Sequence, residues 1–224
     1  MSHTIRVWDL PTRVFHWALL ACVIGLVITG NVGGTAMDWH FRFGYAVLAL
    51  LLFRLLWGLF GGHWSRFANF LYSPATLLRY LRGQSTPESG VGHNPLGALS
   101  VFAMLLLLLL QVGSGLISDD EIATSGPLTS LVSSQLVSLA TWYHTSVGKP
   151  ILILLVLLHI AAILFYAWRK RQNLVRPMLL GDKEVAQAVP ASRDDARSRL
   201  LAVVLFLISV GLVWWLLQLA PAGY

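Results

Sequence analysis

The sequence predicts an all-α integral membrane protein with five spans, and three observations carry that reading. The 224 residues are 56% apolar, their mean hydropathy is +0.69, and only 12% are charged against about 25% in soluble domains. The sixteen Lys or Arg and ten Asp or Glu lie mostly outside long apolar runs such as SVFAMLLLLLLQVGSGLIS and PILILLVLLHIAAILFYAW. Each run supplies the roughly 20 residues that a helix needs to cross the hydrocarbon. Disordered, collagenous and disulfide-stapled classes are excluded by the same numbers. Cys22 is the single cysteine, so the chain has no internal disulfide, no thiolate metal cluster and no CxxCH for covalent haem attachment.

Windows of about 19 residues place the spans at Phe15 to Asn31, Phe41 to Phe60, Leu96 to Ile117, Pro150 to Trp168 and Leu200 to Leu219. The run after Arg6 and Arg13 also resembles a signal peptide, with Gly34-Thr35-Ala36 as a weak cleavage site. Trp17 and a histidine inside it favour a retained span. A net charge of +6 would suggest nucleic acid in a soluble protein; here the charges encode orientation instead, and no nucleic-acid partner is expected. Thirteen of the sixteen basic residues fall on one side: Arg6, Arg13, Arg66, Arg79, Arg82, Arg169, Lys170, Arg171, Arg176, Lys183, Arg193, Arg197 and Arg199. Arg42 and Lys149 fall on the other, with Asp38, Asp119, Asp120 and Glu121. The positive-inside rule then puts the N-terminus in the cytoplasm and, after five spans, the C-terminus in the periplasm of a bacterial inner membrane.

Between spans, 61–94 reads as surface loop with a short interfacial helix at Pro74 to Leu81. Residues 118–143 read as an amphipathic segment on the outer face, and 184–199 as a cytoplasmic linker.

An ionisable residue inside a span is expensive and marks a functional site by default. Of seven histidines, His3, His63 and His93 fall in terminal or loop positions and read as solvated. His16, His40, His144 and His159 lie within or at the ends of apolar helices. His16 starts the first span on the inside and His40 starts the second on the outside. His159 follows His144 by fifteen residues, ~22 Å deeper at the helical rise. The four make two pairs at two depths, His40 with His144 and His16 with His159. Opposed imidazoles suit a planar cofactor with two axial positions, which is haem iron. Zinc, with three or four ligands around one ion, fits pairs at separate depths poorly. Gly44 and Gly148 each follow a histidine by four positions, on the same helical face, and would clear room for a porphyrin edge; close helix packing is the alternative. Arg54, ~21 Å along the helix from His40, reaches the level of the inner pair, where a guanidinium suits a haem propionate. Snorkelling to headgroups is the alternative. Arg13 and Arg66 are secondary candidates on the inside, Arg42 and Lys149 on the outside.

These residues sit in segments that resemble the bacterial cytochrome b561 family, in the branch that includes the b-type membrane subunits of nickel-iron hydrogenases. The segments are WDLPTRVFHW, HFRFGYAVLALLLFRLLWGLFGGHWSRF, GHNPLGALSVFAMLLLLLLQVGSGLIS, and HTSVGKPILILLVLLHIAAILFY with NLVRPMLLGDK. The resemblance covers about Val7 to Lys183. It implies a four-helix transmembrane bundle (7–183) holding two b haems on His16, His40, His144 and His159, with Arg54 in the haem environment. The chain departs from that pattern in a fifth span at 200–219, expected to serve attachment or assembly, and in Tyr143, where hydrogenase subunits carry a second histidine before His144.

Two stacked haems would link the membrane faces. The expected function is electron transfer between the quinone pool and a periplasmic cytochrome c or dehydrogenase. A free-standing superoxide:quinone oxidoreductase is the alternative. His63, Arg66, His93 and Asn94 are the expected polar groups for quinone on the inner side.

Overall fold

A computed structural model of the chain describes residues 3–84, 90–120, 122 and 124–220; Glu121 of the acidic run lies outside these. Among the described residues, five helical stretches are long and apolar enough to cross a membrane: Leu10–Val32, Gly34–Phe60, Pro95–Leu116, Ser134–Trp168 and Ala196–Leu217. They contain helices α1 (Leu10–Val32), α2 (Met37–Phe60), α4 (Pro95–Leu116), α6 (Lys149–Trp168) and α8 (Ala196–Leu217). Shorter elements are strand β1 (His3–Arg6), α3 (Pro74–Leu81), α5 (Ser134–Trp142), α7 (Val175–Leu180) and strand β2 (Asp182–Val185). A π-helical turn, Tyr143–Gly148, joins α5 to α6. The chain is a multi-pass membrane protein: its long helices leave Ile24, Ile28, Leu106, Leu157, Phe165 and Leu207 exposed, an arrangement that lipid tolerates and water does not.

The chain divides into two compact units, one of Met1–His16, Arg54–Ala103 and Leu157–Leu205, the other of Trp17–Phe53, Met104–Val156 and Phe206–Tyr224. In the first, the start of α1 is fixed by its own sequence. Asp9 caps the helix by accepting from Thr12 N at 2.9 Å, and Pro11 sits in the first turn, where a missing N–H costs nothing. Asp9 is also fully buried. Its carboxylate accepts from Trp57 Nε1 at 3.1 Å and Ser65 Oγ at 2.6 Å, and Gly62 leaves the space that its Oδ2 occupies.

The stretch expected to be a linker is instead tied down at both ends. β2 pairs antiparallel with β1, His3 opposite Val185 and Arg6 opposite Asp182. Gly181, in the left-handed region at φ 92°, closes α7 by donating to Pro177 O and accepts from the N–H groups of Val7 and Trp8 at 2.9 and 3.0 Å. Ser192 donates from its N to Arg6 O at 2.7 Å and from its hydroxyl to Val7 O at 2.7 Å. Arg6 binds both Asp182 and Asp194, and Asp194 also binds Arg199. Composition marks this stretch as polar; only long-range pairing makes it structure.

The short helix expected at Pro74–Leu81 forms with Ser73 as its cap, accepting from Thr76 N. In the second unit, the chain after α4 turns back on that helix. Gly126 N donates to Ser118 O at 2.7 Å and Leu128 N to Leu116 O at 2.9 Å. A Cβ on Gly126 would collide with Leu116 O, so this close backbone approach requires glycine. The last helix starts at Ala196, four residues earlier than expected. It is not a bare anchor: Ser198, Ala202, Leu205, Ser209 and Val213 form a buried stripe at helical spacing, and Phe206 packs edge-on against Phe53.

Removal of the Asp9 carboxylate takes away a helix cap and, with it, one acceptor from the buried Trp57 indole and one from the Ser65 hydroxyl. Asp9→Ala is expected to destabilise the protein by about 2–4 kcal/mol, read as a lower thermal midpoint in detergent. Asp9→Asn, which keeps the cap, should lie between the variant and the wild type.

Candidate functional site

Each expected histidine pair is brought together, and each lies within one unit. His16 from α1 and His159 from α6 have ring centroids 6.5 Å apart. His40, in the first turn of α2, and His144, in the π-helical turn, have centroids 6.2 Å apart. Metal–imidazole bonds of about 2.0–2.1 Å, with about 1.1 Å from ring centre to nitrogen on each side, call for a centroid separation near 6.3 Å. Both separations leave room for one metal ion between the two imidazoles. Among the described residues no group of three or more His, Cys, Asp or Glu gathers as a metal site, which leaves no zinc-type cluster there.

In the His40–His144 site the second ring nitrogen of each imidazole is engaged by helix backbone. His40 Nδ1 donates to Leu26 O at 3.1 Å and His144 Nδ1 to Gln111 O at 2.8 Å; a carbonyl can only accept. This leaves Nε2 with its lone pair. Gln111 Nε2 also donates to His144 O at 2.9 Å, fastening the π-helical turn, an irregularity that recurs at functional sites. The two glycines expected to clear a porphyrin edge part company here. Nothing lies within 4 Å of a Cβ on Gly44, but the space at Gly148 is filled by Gln111 Oε1 and the Tyr143 ring. Gly148 thus makes room for the residue that holds His144. The glycines that accommodate the histidines are Gly30 and Gly115, whose added Cβ atoms would meet the Cε1 of His40 at 2.9 Å and of His144 at 2.8 Å. Lys149 Nζ donates to Asn31 Oδ1 at 2.9 Å, and Arg42 lies over the Trp39 ring at 5.1 Å.

Arg54 lies in the same unit as the His16–His159 pair. Its side chain is 3% exposed, its Cζ stands 4.6 Å over the Phe67 ring, and its Nη1 is buried without a hydrogen-bond partner. Snorkelling is thereby excluded for this arginine. Among the described residues no ion pair includes it; Asp9, the nearby carboxylate, already serves Trp57, Ser65 and Thr12. A buried guanidinium left with an open donor is costly, and an anionic group placed there would offset that cost. Phe67 is set beneath it by Gly58, whose missing side chain that ring replaces, and by Phe70 and Phe102.

Sequence position misplaced His93. It is not a solvated loop histidine: its ring packs on Trp8 at 4.7 Å and Phe70 at 4.4 Å, and its Nδ1 is buried without a partner. Burial, aided by the positive charge of Arg54 and by His159, pushes its pKa from 6.5 down to about 3. Of the other inner polar candidates, His63 packs edge-on against Trp64 and Arg66 is exposed. Asn94 caps α4 by accepting from Gly97 N and donates to Tyr166 Oη at 2.7 Å, which in turn shares a hydrogen bond with Tyr80 Oη. Trp8, Phe67, Tyr80 and Tyr166 were not expected in this cluster.

The model of the prokaryotic cytochrome b561 family matches residues 7–181. Curated relatives include a probable Ni/Fe-hydrogenase B-type cytochrome subunit of Bradyrhizobium diazoefficiens, 26% identical over 81% of this chain and 86% of the relative. A subunit of the same name from Azotobacter vinelandii is 24% identical over 79% and 87%. The probable Ni/Fe-hydrogenase 1 B-type cytochrome subunit of Escherichia coli K12 is 24% identical over 49% and 57%. No solved structure matches.

A neutral histidine in the native state and a protonated one in the unfolded chain make stability fall as pH drops from about 6.5 toward about 3. His93→Gln is expected to remove about one proton from the pH dependence of thermal unfolding in that window, leaving the slope above pH 7 unchanged.

Proposed function

Because the chain belongs to the prokaryotic cytochrome b561 family, whose b-type cytochromes carry electrons in membranes on haem b, we propose that it passes electrons between the quinone pool and a redox partner at the periplasmic face. The observation that carries this reading is the pair of imidazole couples at 6.2 and 6.5 Å. In it, His16 and His159 hold one haem b, His40 and His144 a second, and Arg54 binds a propionate of the first with the donor that lacks a partner. Bound haem supplies the one-electron chemistry of iron. The chain's residues do the rest: imidazole nitrogens fix the iron, apolar helices exclude water, and Arg54 offsets negative charge.

The charge bias supports an N-terminus in the cytoplasm, a C-terminus in the periplasm and residence in the bacterial inner membrane. The partner is a cytochrome c or a dehydrogenase; the relatives' names favour a hydrogenase among dehydrogenases. The quinone site lies near His93, whose buried Nδ1 is open to a carbonyl oxygen beside apolar Trp8 and Phe70.

Pyridine haemochrome analysis of the purified chain should give two haems, both extracted by acid-acetone; one haem, or a covalent one, contradicts the assignment. His40→Ala and His144→Ala should lose the same component in a redox titration, and His16→Ala and His159→Ala the other. Loss of one component by both His16 and His40 variants would mean that the pairs are wrong. For quinone, His93→Ala with both haems retained should slow quinol-driven haem reduction at least several-fold; an unchanged rate places quinone elsewhere.

A further inference from the structure

The His40–His144 site contains a repeat that only the structure makes visible. Leu26-Val27-Ile28-Thr29-Gly30 on α1 and Gln111-Val112-Gly113-Ser114-Gly115 on α4 present the same three features to an opposing histidine. The carbonyl of the first residue accepts the Nδ1 hydrogen, at 3.1 Å from Leu26 and 2.8 Å from Gln111. The hydroxyl of the fourth stands 3.3 Å from the same Nδ1 in both cases, Thr29 at His40 and Ser114 at His144. The fifth is a glycine whose absent Cβ leaves space for the Cε1 edge of the ring. In an α-helix these positions share a face, so one turn and a residue of helix makes a complete seat.

The direction of each hydroxyl contact is set by its other bonds. Thr29 Oγ1 donates to Gly25 O at 2.7 Å and Ser114 Oγ to Gln111 O at 3.0 Å. With their protons committed to their own helices, both oxygens can only accept from histidine. Each Nδ1–H thus faces two acceptors, a carbonyl and a hydroxyl, and each Nε2 is held as the free lone pair. We propose that Thr29 and Ser114 are positioning residues that lock both imidazoles in this tautomer and lower the potential of the haem they hold, with Gly30 and Gly115 setting the ring positions. The inference rests on the assignment of His40 and His144 as ligands. The chemistry is general: a stronger acceptor at Nδ1–H makes Nε2 a better donor and favours the oxidised iron.

The test is a redox titration of the purified protein with haem quantification. Thr29→Val and Ser114→Ala should keep two haems and move one component to higher potential, the double variant further than either single one, while the other component stays fixed. Thr29→Ser and Ser114→Thr, which keep a hydroxyl, should match the wild type. Gly30→Ala and Gly115→Ala should displace the ring and lower the stoichiometry from two haems toward one. Unchanged potentials in Thr29→Val and Ser114→Ala overturn the proposal, and His40→Ala or His144→Ala losing the same component then leaves the ligand assignment standing. Retention of that component in both histidine variants overturns the assignment and the proposal together. Should Thr29→Val lose the haem outright, recovery in Thr29→Ser supports the hydroxyl's role and failure to recover overturns it.

Discussion

An imidazole inside an apolar helix assembly has two nitrogens to satisfy, and helix backbone can take only one of them. Main-chain N–H and C=O groups are already paired within the helices, but a carbonyl keeps a second lone pair. Leu26 and Gln111 use it to receive the Nδ1 hydrogens of His40 and His144. The nitrogen that remains, Nε2, keeps its lone pair, and the other features of the site bear on how each ring is held. Glycine stands where the ring meets the neighbouring helix, a π-helical turn carries His144, and Gln111 binds that turn with its amide while its carbonyl binds the ring.

Charge obeys the same economy. Arg54 is buried with a donor unmet, whereas Asp9, equally buried, has its oxygens filled by a helix N–H, an indole and a serine. One group is satisfied within the protein; the other keeps a donor open, which the proposed haem propionate would take up. A substitution at Asp9 is therefore a matter of folding first, whereas in the proposed reading one at Arg54 bears on the cofactor. The paired strands, Gly181 and the ion pairs of Arg6 with Asp182 and Asp194 and of Arg199 with Asp194 tie the residues just before α1 to the 181–199 stretch of the same unit.

Much of this was legible in the sequence because its causes are local. Length and hydropathy place the spans, the loop at 61–94 accommodates a short helix at Pro74 to Leu81, and histidines inside apolar runs are too costly to lack a purpose. What was not legible depends on partners far along the chain. His93 reads as a polar loop residue until Trp8 and Phe70 arrive from two other segments to bury it. The stretch around Asp194 reads as linker until Arg6, the Leu10 N–H and Arg199 engage its carboxylate. Gly148 carried the right chemistry and the wrong beneficiary, since its space goes to Gln111 and Tyr143. Gly30 and Gly115, the glycines beside the histidines, were hidden among the small residues that membrane helices use for packing anyway. The buried stripe of α8 was equally invisible, because in a uniformly apolar helix no periodicity separates a packed face from a lipid-facing one.

The central proposal is that two pairs of imidazoles, and no other side chains, each ligate one haem iron. Electron paramagnetic resonance of the oxidised, purified chain tests it most directly, because the spin state of ferric haem reports its axial ligands. Two low-spin ferric haem signals of equal weight, with no high-spin signal, are the predicted result. A high-spin signal, or a single low-spin signal accounting for all of the iron, would contradict it.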